Sequence, residues 1–224
     1  VNLGKAFKGV LALAFAVSTF ATTGAFADDK AKKSTTEVKV AAVKDEVSPH
    51  KVVEDVTNQL MTIVAGGKQA MEKNPDKYFA EVQGVMEQVV DFNYIAKNVM
   101  GAKYWNSATT DQKKRFVKVF TDGLVQTYAK GMANFADFDI SVMPPDSDLG
   151  DKKRVSVIQK FQGPEGVNRV AYTMGLHKSG DWKLINVVLD GVNLGETLRT
   201  QFAQSVTENK GDLDATINGW QLKS

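Results

Sequence analysis

The groups in this sequence best suited to acid–base chemistry are two histidines, His50 and His177, and a scatter of carboxylates. His50 falls at a helix start and His177 on the wetter side of a strand beside a hairpin, so both read as solvent-facing. Asp91, Asp181 and Asp190 stand at a helix start, a turn and a strand end, where a cap, a turn residue or a partner for a cation is needed in any case. An isomerase-like α+β cone would need a carboxylate and a tyrosine turned inward together, and Tyr172 with Asp190 is the pair that offers this. The sequence holds no HExxH, GxSxG, glycine-rich phosphate loop or EF-hand loop. It has no cysteine, which excludes zinc sites built on thiolates. A basic run, Lys113, Lys114, Arg115 and Lys118, opens a helix and suits either a solvated face or a patch for an anionic partner.

The elements that must position these groups centre on Asp91 to Phe135. Asp91 is the N-cap of a short helix with Phe92, Ile95, Ala96, Val99 and Met100 on one face, and Gly101 is where that helix is expected to stop. After the Tyr104–Trp105 corner, Thr109 and Gln112 form a capping box for a long helix. Its large residues, Phe116, Val119, Phe120, Leu124, Tyr128, Met132 and Phe135, recur mostly every fourth position. Each such step adds about 40° of rotation, so the apolar stripe winds round the helix. Gly123, Ala129, Gly131 and Ala133 lie between them and leave shallow places. Periodicity suits a buried core helix and a ligand-lining helix alike.

Residues 1–27 have the three parts of a cleaved signal peptide: Lys5 and Lys8, an apolar run from Val10 to Phe20, and the small-x-small site Ala25-Phe26-Ala27. Cleavage would remove two lysines and no acid, taking the formal charge from +2 to zero, which argues against a nucleic-acid binder held by general electrostatics. About 197 residues would remain, enough for one sizeable core without disulfides. Residues 28–47 lack aromatics and read as a solvated, disordered tail. A single domain is expected over residues 48–224, opened by the Ser48-Pro49 start and an amphipathic helix that Gly66-Gly67 should end. Asn74-Pro75 starts the next helix, so four helices are expected before any strand.

The period then changes to two. Phe138, Ile140 and Val142 alternate with polar neighbours, and three strands follow, Arg154 to Phe161, Asn168 to His177 and Trp182 to Val192, joined by hairpin-type turns. In the third strand Val170, Tyr172, Met174 and Leu176 share one side, the pattern of a sheet with one covered face. Two helical stretches close the chain. The expected fold is therefore α+β, with N-terminal and C-terminal helices packed on a four-stranded antiparallel sheet.

Taken in order, Asp91-Phe92, Ile95-Ala96, Gly101, Tyr104-Trp105, Gln112, Phe116, Phe120, Leu124, Thr127-Tyr128, Trp182-Lys183, Gly191-Val192, Arg199 and Gln201-Phe202 resemble the toluene-tolerance family, the periplasmic phospholipid-binding component of the maintenance-of-lipid-asymmetry (Mla) transport system. Asn186, Asn193 and Leu198 stand where that family commonly has Asp, Ser and Tyr, and Arg199 is expected to be a structural ion-pair partner. The resemblance implies a non-enzymatic periplasmic monomer with no cofactor. Its cargo would be a phospholipid, carried between an outer-membrane lipoprotein–porin complex and an inner-membrane ABC transporter with its lipid-binding subunit. It also implies an apolar pocket for the acyl chains, whose lining is expected from Phe92, Ile95, Val99, Phe116, Phe120, Leu124, Tyr128, Val170, Tyr172, Met174, Trp182 and Val188. A small periplasmic enzyme or a ligand-free adaptor are the alternatives.

Overall fold

The structure, a computed structural model, describes residues 47–132, 138–164 and 166–222. The signal-peptide segment, nearly all of the tail, and Phe135 lie outside these residues. Five helices precede the first strand: α1 (Pro49–Val64), α2 (Gly67–Lys73), α3 (Pro75–Val89), α4 (Phe92–Ser107) and α5 (Thr110–Met132). Five strands follow, β1 (Asp139–Val142), β2 (Arg154–Gly163), β3 (Gly166–Leu176), β4 (Trp182–Leu189) and β5 (Val192–Asn193), and then α6 (Leu194–Glu208) and α7 (Leu213–Asn218). The sheet is an open antiparallel meander in the order β1-β2-β3-β4-β5.

The start signals act as their chemistry requires. Ser48 accepts from Lys51 N at 3.2 Å, Asn74 from Lys77 N at 3.1 Å and Asp91 from Tyr94 N at 2.9 Å, each satisfying a donor that a helix start leaves open. Before α5 the reciprocal box forms: Gln112 N donates to Thr109 Oγ1 at 3.1 Å, and Thr109 N to Gln112 Oε1 at 2.9 Å.

Two glycine positions break helices as expected and do something more. The first helix ends at Val64, just before Gly66-Gly67, as expected; what was not expected is that Gly67 opens an extra helix α2, where a Cβ would sit 3.1 Å from the Tyr78 hydroxyl. Gly101, with φ 76° and ψ 155°, ends the first helical run of α4 as expected, and a second run continues from the kink to Ser107. The Arg199 guanidinium lies against Gly101, 3.3 Å from where a Cβ would stand. The expected ion pair of Arg199 is absent among the described residues; its role is to pack over the kink.

The fifth strand also corrects the expectation of four. The run from Trp182 to Val192 is not one strand, because Asp190 (φ 47°) and Gly191 (φ 83°) turn the chain back after Leu189. Val192 and Asn193 then pair with Leu189 and Val188 before Asn193 caps α6. A register shift between Thr173 and Met174 sets Met174 opposite Leu184.

Helix α5 packs against α3, α4 and α7, while α1 lies on β1 and β2, and α4 and α6 approach β4. The N-terminal half of α5 is held by an aromatic cluster: Phe116 meets Phe202 edge-on at 4.8 Å between ring centroids and Trp220 at 5.8 Å, and Phe202 meets Tyr104 at 5.9 Å. Farther along, the Tyr78 hydroxyl donates to the Ala129 carbonyl at 2.9 Å and ties α3 to α5.

Gly101 has a conformation that side-chain-bearing residues avoid, so Gly101→Ala should cost about 1–3 kcal/mol. Gly84, inside α3 with open space around it, should gain about 0.5–1 kcal/mol as alanine. Urea midpoints of the two variants check the opposite signs.

Candidate functional site: an apolar chamber crossed by a polar relay

The covered face of the sheet can be read row by row from the β2–β3 hairpin. Ile140, Phe161 and Asn168 come first, then Val142, Gln159, Val170 and Leu189, then Val157, Tyr172 and Val187. Val155, Met174 and Leu184 form the fourth row, and Leu176 with Trp182 the last. The last rows are apolar throughout and join the packed core with α4 and α5. The first three carry the polar groups. In them Ile140 and Val187 keep accessible surface without joining the packed core of the described residues.

One hydrogen-bonded relay crosses this looser region. Tyr172 Oη donates to Gln159 Oε1 at 2.8 Å, Gln159 Nε2 donates to Thr57 Oγ1 at 2.7 Å, and Thr57 Oγ1 donates to the Val53 carbonyl at 2.7 Å. It joins two strands to α1, and it satisfies a glutamine that is only 2 % exposed. Tyr128 comes towards the same place from α5. Burial pushes its phenol up to about 12. Burial, with Tyr128 close by, also raises Tyr172.

Both tyrosines nevertheless keep part of their surface accessible. The Tyr128 hydroxyl makes no hydrogen bond among the described residues and is not sealed either. Each tyrosine is packed against the hydrophobic core and still keeps accessible surface, which makes this the candidate place for an apolar ligand. The candidate site is bounded by the C-terminal half of α5, the first rows of the sheet and the half-buried Val56 and Leu60 of α1.

The predicted lining residues divide. Phe92, Val99, Phe116, Phe120, Met174 and Trp182 are buried in the packed core, four of them at 0 % exposure. Leu124 and Val170 are both buried, Tyr128 and Tyr172 keep accessible surface, and Ile95 is half-buried against the core from α4. Val188 is a correction: it pairs with Ala171 on the opposite face of the sheet, because it follows the covered Val187 by one residue and side chains alternate. The residues missed were Thr57, Gln159, Ile140 and Val187. Alternation along β1, β2 and β4 places the last three on the covered face, but a glutamine and a threonine carry no apolar signal.

Tyr172 and Asp190 do not form an acid–base pair. Tyr172 is on the covered face, whereas Asp190 is exposed at the end of β4, where Oδ1 accepts from Arg169 N at 3.5 Å. His177 is exposed, and its Nε2 lies 2.8 Å from Asp91 Oδ2. His50 is half-buried instead of solvent-facing, and burial lowers its pKa. The basic run is mostly engaged. Arg115 bonds Asp111 at 2.7 Å, Asp214, and Asn218 at 3.0 Å, tying α5 to α7; Lys118 pairs with Asp122 at 2.6 Å; and the Lys113 ammonium lies 5.6 Å from the Trp105 ring centroid.

Three surface grooves lie elsewhere. One of about 460 Å³ runs past Trp105, Lys113 and Val117, one of about 310 Å³ past Phe92, His177 and Lys183, and one of about 650 Å³ on the outer sheet face past Ile158, Ala171 and Val188. Among the described residues no group of His, Asp or Glu could hold a metal ion, and no helix is long and apolar enough to cross a membrane.

The raised phenols carry a pH consequence. Folding keeps Tyr128 and Tyr172 neutral, so their contribution is fully present below pH 10 and is lost as the pH rises from about 10 towards 12, where the unfolded chain ionises first. Stability measured by urea titration should therefore fall over that window, and Tyr128→Phe should flatten the fall.

A model of the MlaC protein family matches residues 54–222. The toluene tolerance protein ttg2D of Pseudomonas putida is 36% identical over 174 residues, which are 77% of this chain and 80% of that protein. The intermembrane phospholipid transport system binding protein MlaC of Haemophilus influenzae is 23% identical over 180 residues, 79% of this chain and 82% of that one. The phospholipid-binding protein of Ralstonia solanacearum, solved in complex with a phospholipid, shares the fold with a TM-score of 0.67 at 21% identity, over 75% of this chain and 92% of that one. The match to the family model runs from α1 past α7, through every element that borders the chamber, and the chain belongs to the MlaC family.

Proposed function

We propose that this chain is a periplasmic phospholipid carrier. It takes lipid between an outer-membrane lipoprotein–porin complex and an inner-membrane ABC transporter with its lipid-binding subunit, and so maintains outer-membrane lipid asymmetry. The observation that carries the reading is that Tyr128 and Tyr172, set among apolar side chains of α1, α5 and the sheet, keep accessible surface. The names of the relatives support it, one for toluene tolerance and one for intermembrane phospholipid transport, as does a structural neighbour holding a phospholipid.

The energetics say what such a chamber is for. An acyl chain gains about 0.8 kcal/mol per methylene on leaving water, so two chains of ordinary length face a barrier on the order of 20 kcal/mol if they cross an aqueous space bare. An apolar wall removes most of it. The bilayer interior is equally apolar, so the protein holds lipid firmly against water and lightly against membrane complexes, and exchange needs a partner that joins the two apolar spaces. The phospholipid is cargo, with no cofactor and no nucleic acid in the cycle, and a monomer suffices.

Mass spectrometry of an organic extract of the purified protein should find phospholipid. Val187→Trp, which fills the space from the sheet side, should abolish co-purified lipid while thermal unfolding stays cooperative. A wild-type protein with no extractable phospholipid and no uptake from labelled vesicles would overturn the reading.

A further inference from the structure

The polar groups in the chamber are more numerous than a hydrocarbon cargo requires. An apolar wall of leucine and phenylalanine would hold acyl chains without the cost of burying a glutamine. Here Gln159 lies nearly sealed between β1 and β3, positioned by Tyr172 on one side and Thr57 on the other.

The hydrogen bonds leave a defined surplus. A glutamine amide has two N–H protons, and the relay uses one, towards Thr57. The proton of the Tyr172 hydroxyl is committed to Gln159 Oε1. The Tyr128 hydroxyl, on the facing helix, donates to nothing among the described residues. Two donors are therefore uncommitted at the candidate site, the hydroxyl of the half-buried Tyr128 and the second N–H of the nearly sealed Gln159. A phospholipid acyl chain brings one polar group into such a place, its ester carbonyl, which accepts and cannot donate.

We propose that Tyr128 Oη and Gln159 Nε2 donate hydrogen bonds to an acyl ester carbonyl of the bound lipid, with Tyr172 and Thr57 as positioning residues, so that the chamber selects ester-linked over ether-linked chains. The proposal rests on the carrier reading. It gives the relay a ligand-side partner and sets how deep the lipid sits: the ester waist stops at the second and third rows of the sheet, and the chains extend against α1 and α5.

The test uses delipidated full-length protein and two lipids alike in headgroup and chain length, a diester phosphatidylethanolamine and its diether analogue, in competition read by native mass spectrometry. Wild-type protein should prefer the diester by about tenfold, the discrimination that one or two neutral hydrogen bonds confer. Tyr128→Phe should weaken the diester by about five- to tenfold and leave the diether unchanged. Equal binding of the two lipids by the wild-type protein would overturn the ester proposal and leave the carrier reading standing, whereas binding of neither would overturn the carrier reading itself. The comparison of lipids on the unaltered protein needs no variant to fold, and an equal loss for both lipids in Tyr128→Phe would also count against the proposal.

Discussion

The packing of Phe116 against Phe202 and Trp220 is the contact from which the rest of the structure follows. A chamber that is not filled by side chains forfeits dispersion contacts along its whole lining, and the protein around it must make up the difference. Here the N-terminal half of α5 is sealed among α4, α6 and α7, with Phe116 and Phe120 at 0 % exposure. Farther along, Tyr128 in the C-terminal half keeps accessible surface, while the Tyr78 hydroxyl on the Ala129 carbonyl holds α5 from the side of α3. One helix thus performs two jobs at its two ends, and the winding of its apolar stripe reflects both.

The polar relay is the second consequence. In a region of low polarity a glutamine left unpaired would be costly, and one held by Tyr172 and Thr57 is rigid and directional. It also provides the polar tie between α1 and the sheet. The ion pairs, by contrast, stay at the surface: Arg115 with Asp111 and Asp214 staples α5 to α7, and its exposure keeps its energetic weight small. The relay is made only of neutral donors and acceptors.

The kink at Gly101 and the cap at Asp91 show how local chemistry supports this arrangement. Asp91 caps α4, meets His177 from the β3–β4 hairpin, and donates its own N–H to the Leu184 carbonyl, so one residue locks helix, hairpin and strand together at the sealed end of the sheet. Gly101 then bends α4 where the Arg199 side chain lies across it, so α4 can follow both β4 and α6.

The sequence by itself determined what depends on near neighbours: the caps at Ser48, Asn74 and Asp91, the box at Thr109 and Gln112, the α+β order and the one-sided sheet. Each is a pattern completed within a few residues of chain. What only the tertiary structure decided is which apolar residues fill the interior and which border a space, because both use the same side chains at the same periods. Phe120 and Tyr128 belong to one stripe and end in different surroundings, Val188 lies on the far face one residue from Val187, and Gln159 becomes central only because residues 102 and 13 positions away meet its two ends. The two-residue strand β5 escaped for a different reason: Asp190–Gly191 is a local two-residue turn that pairs Val192 back on Leu189, a signal lost when the run from Trp182 to Val192 is read as one strand.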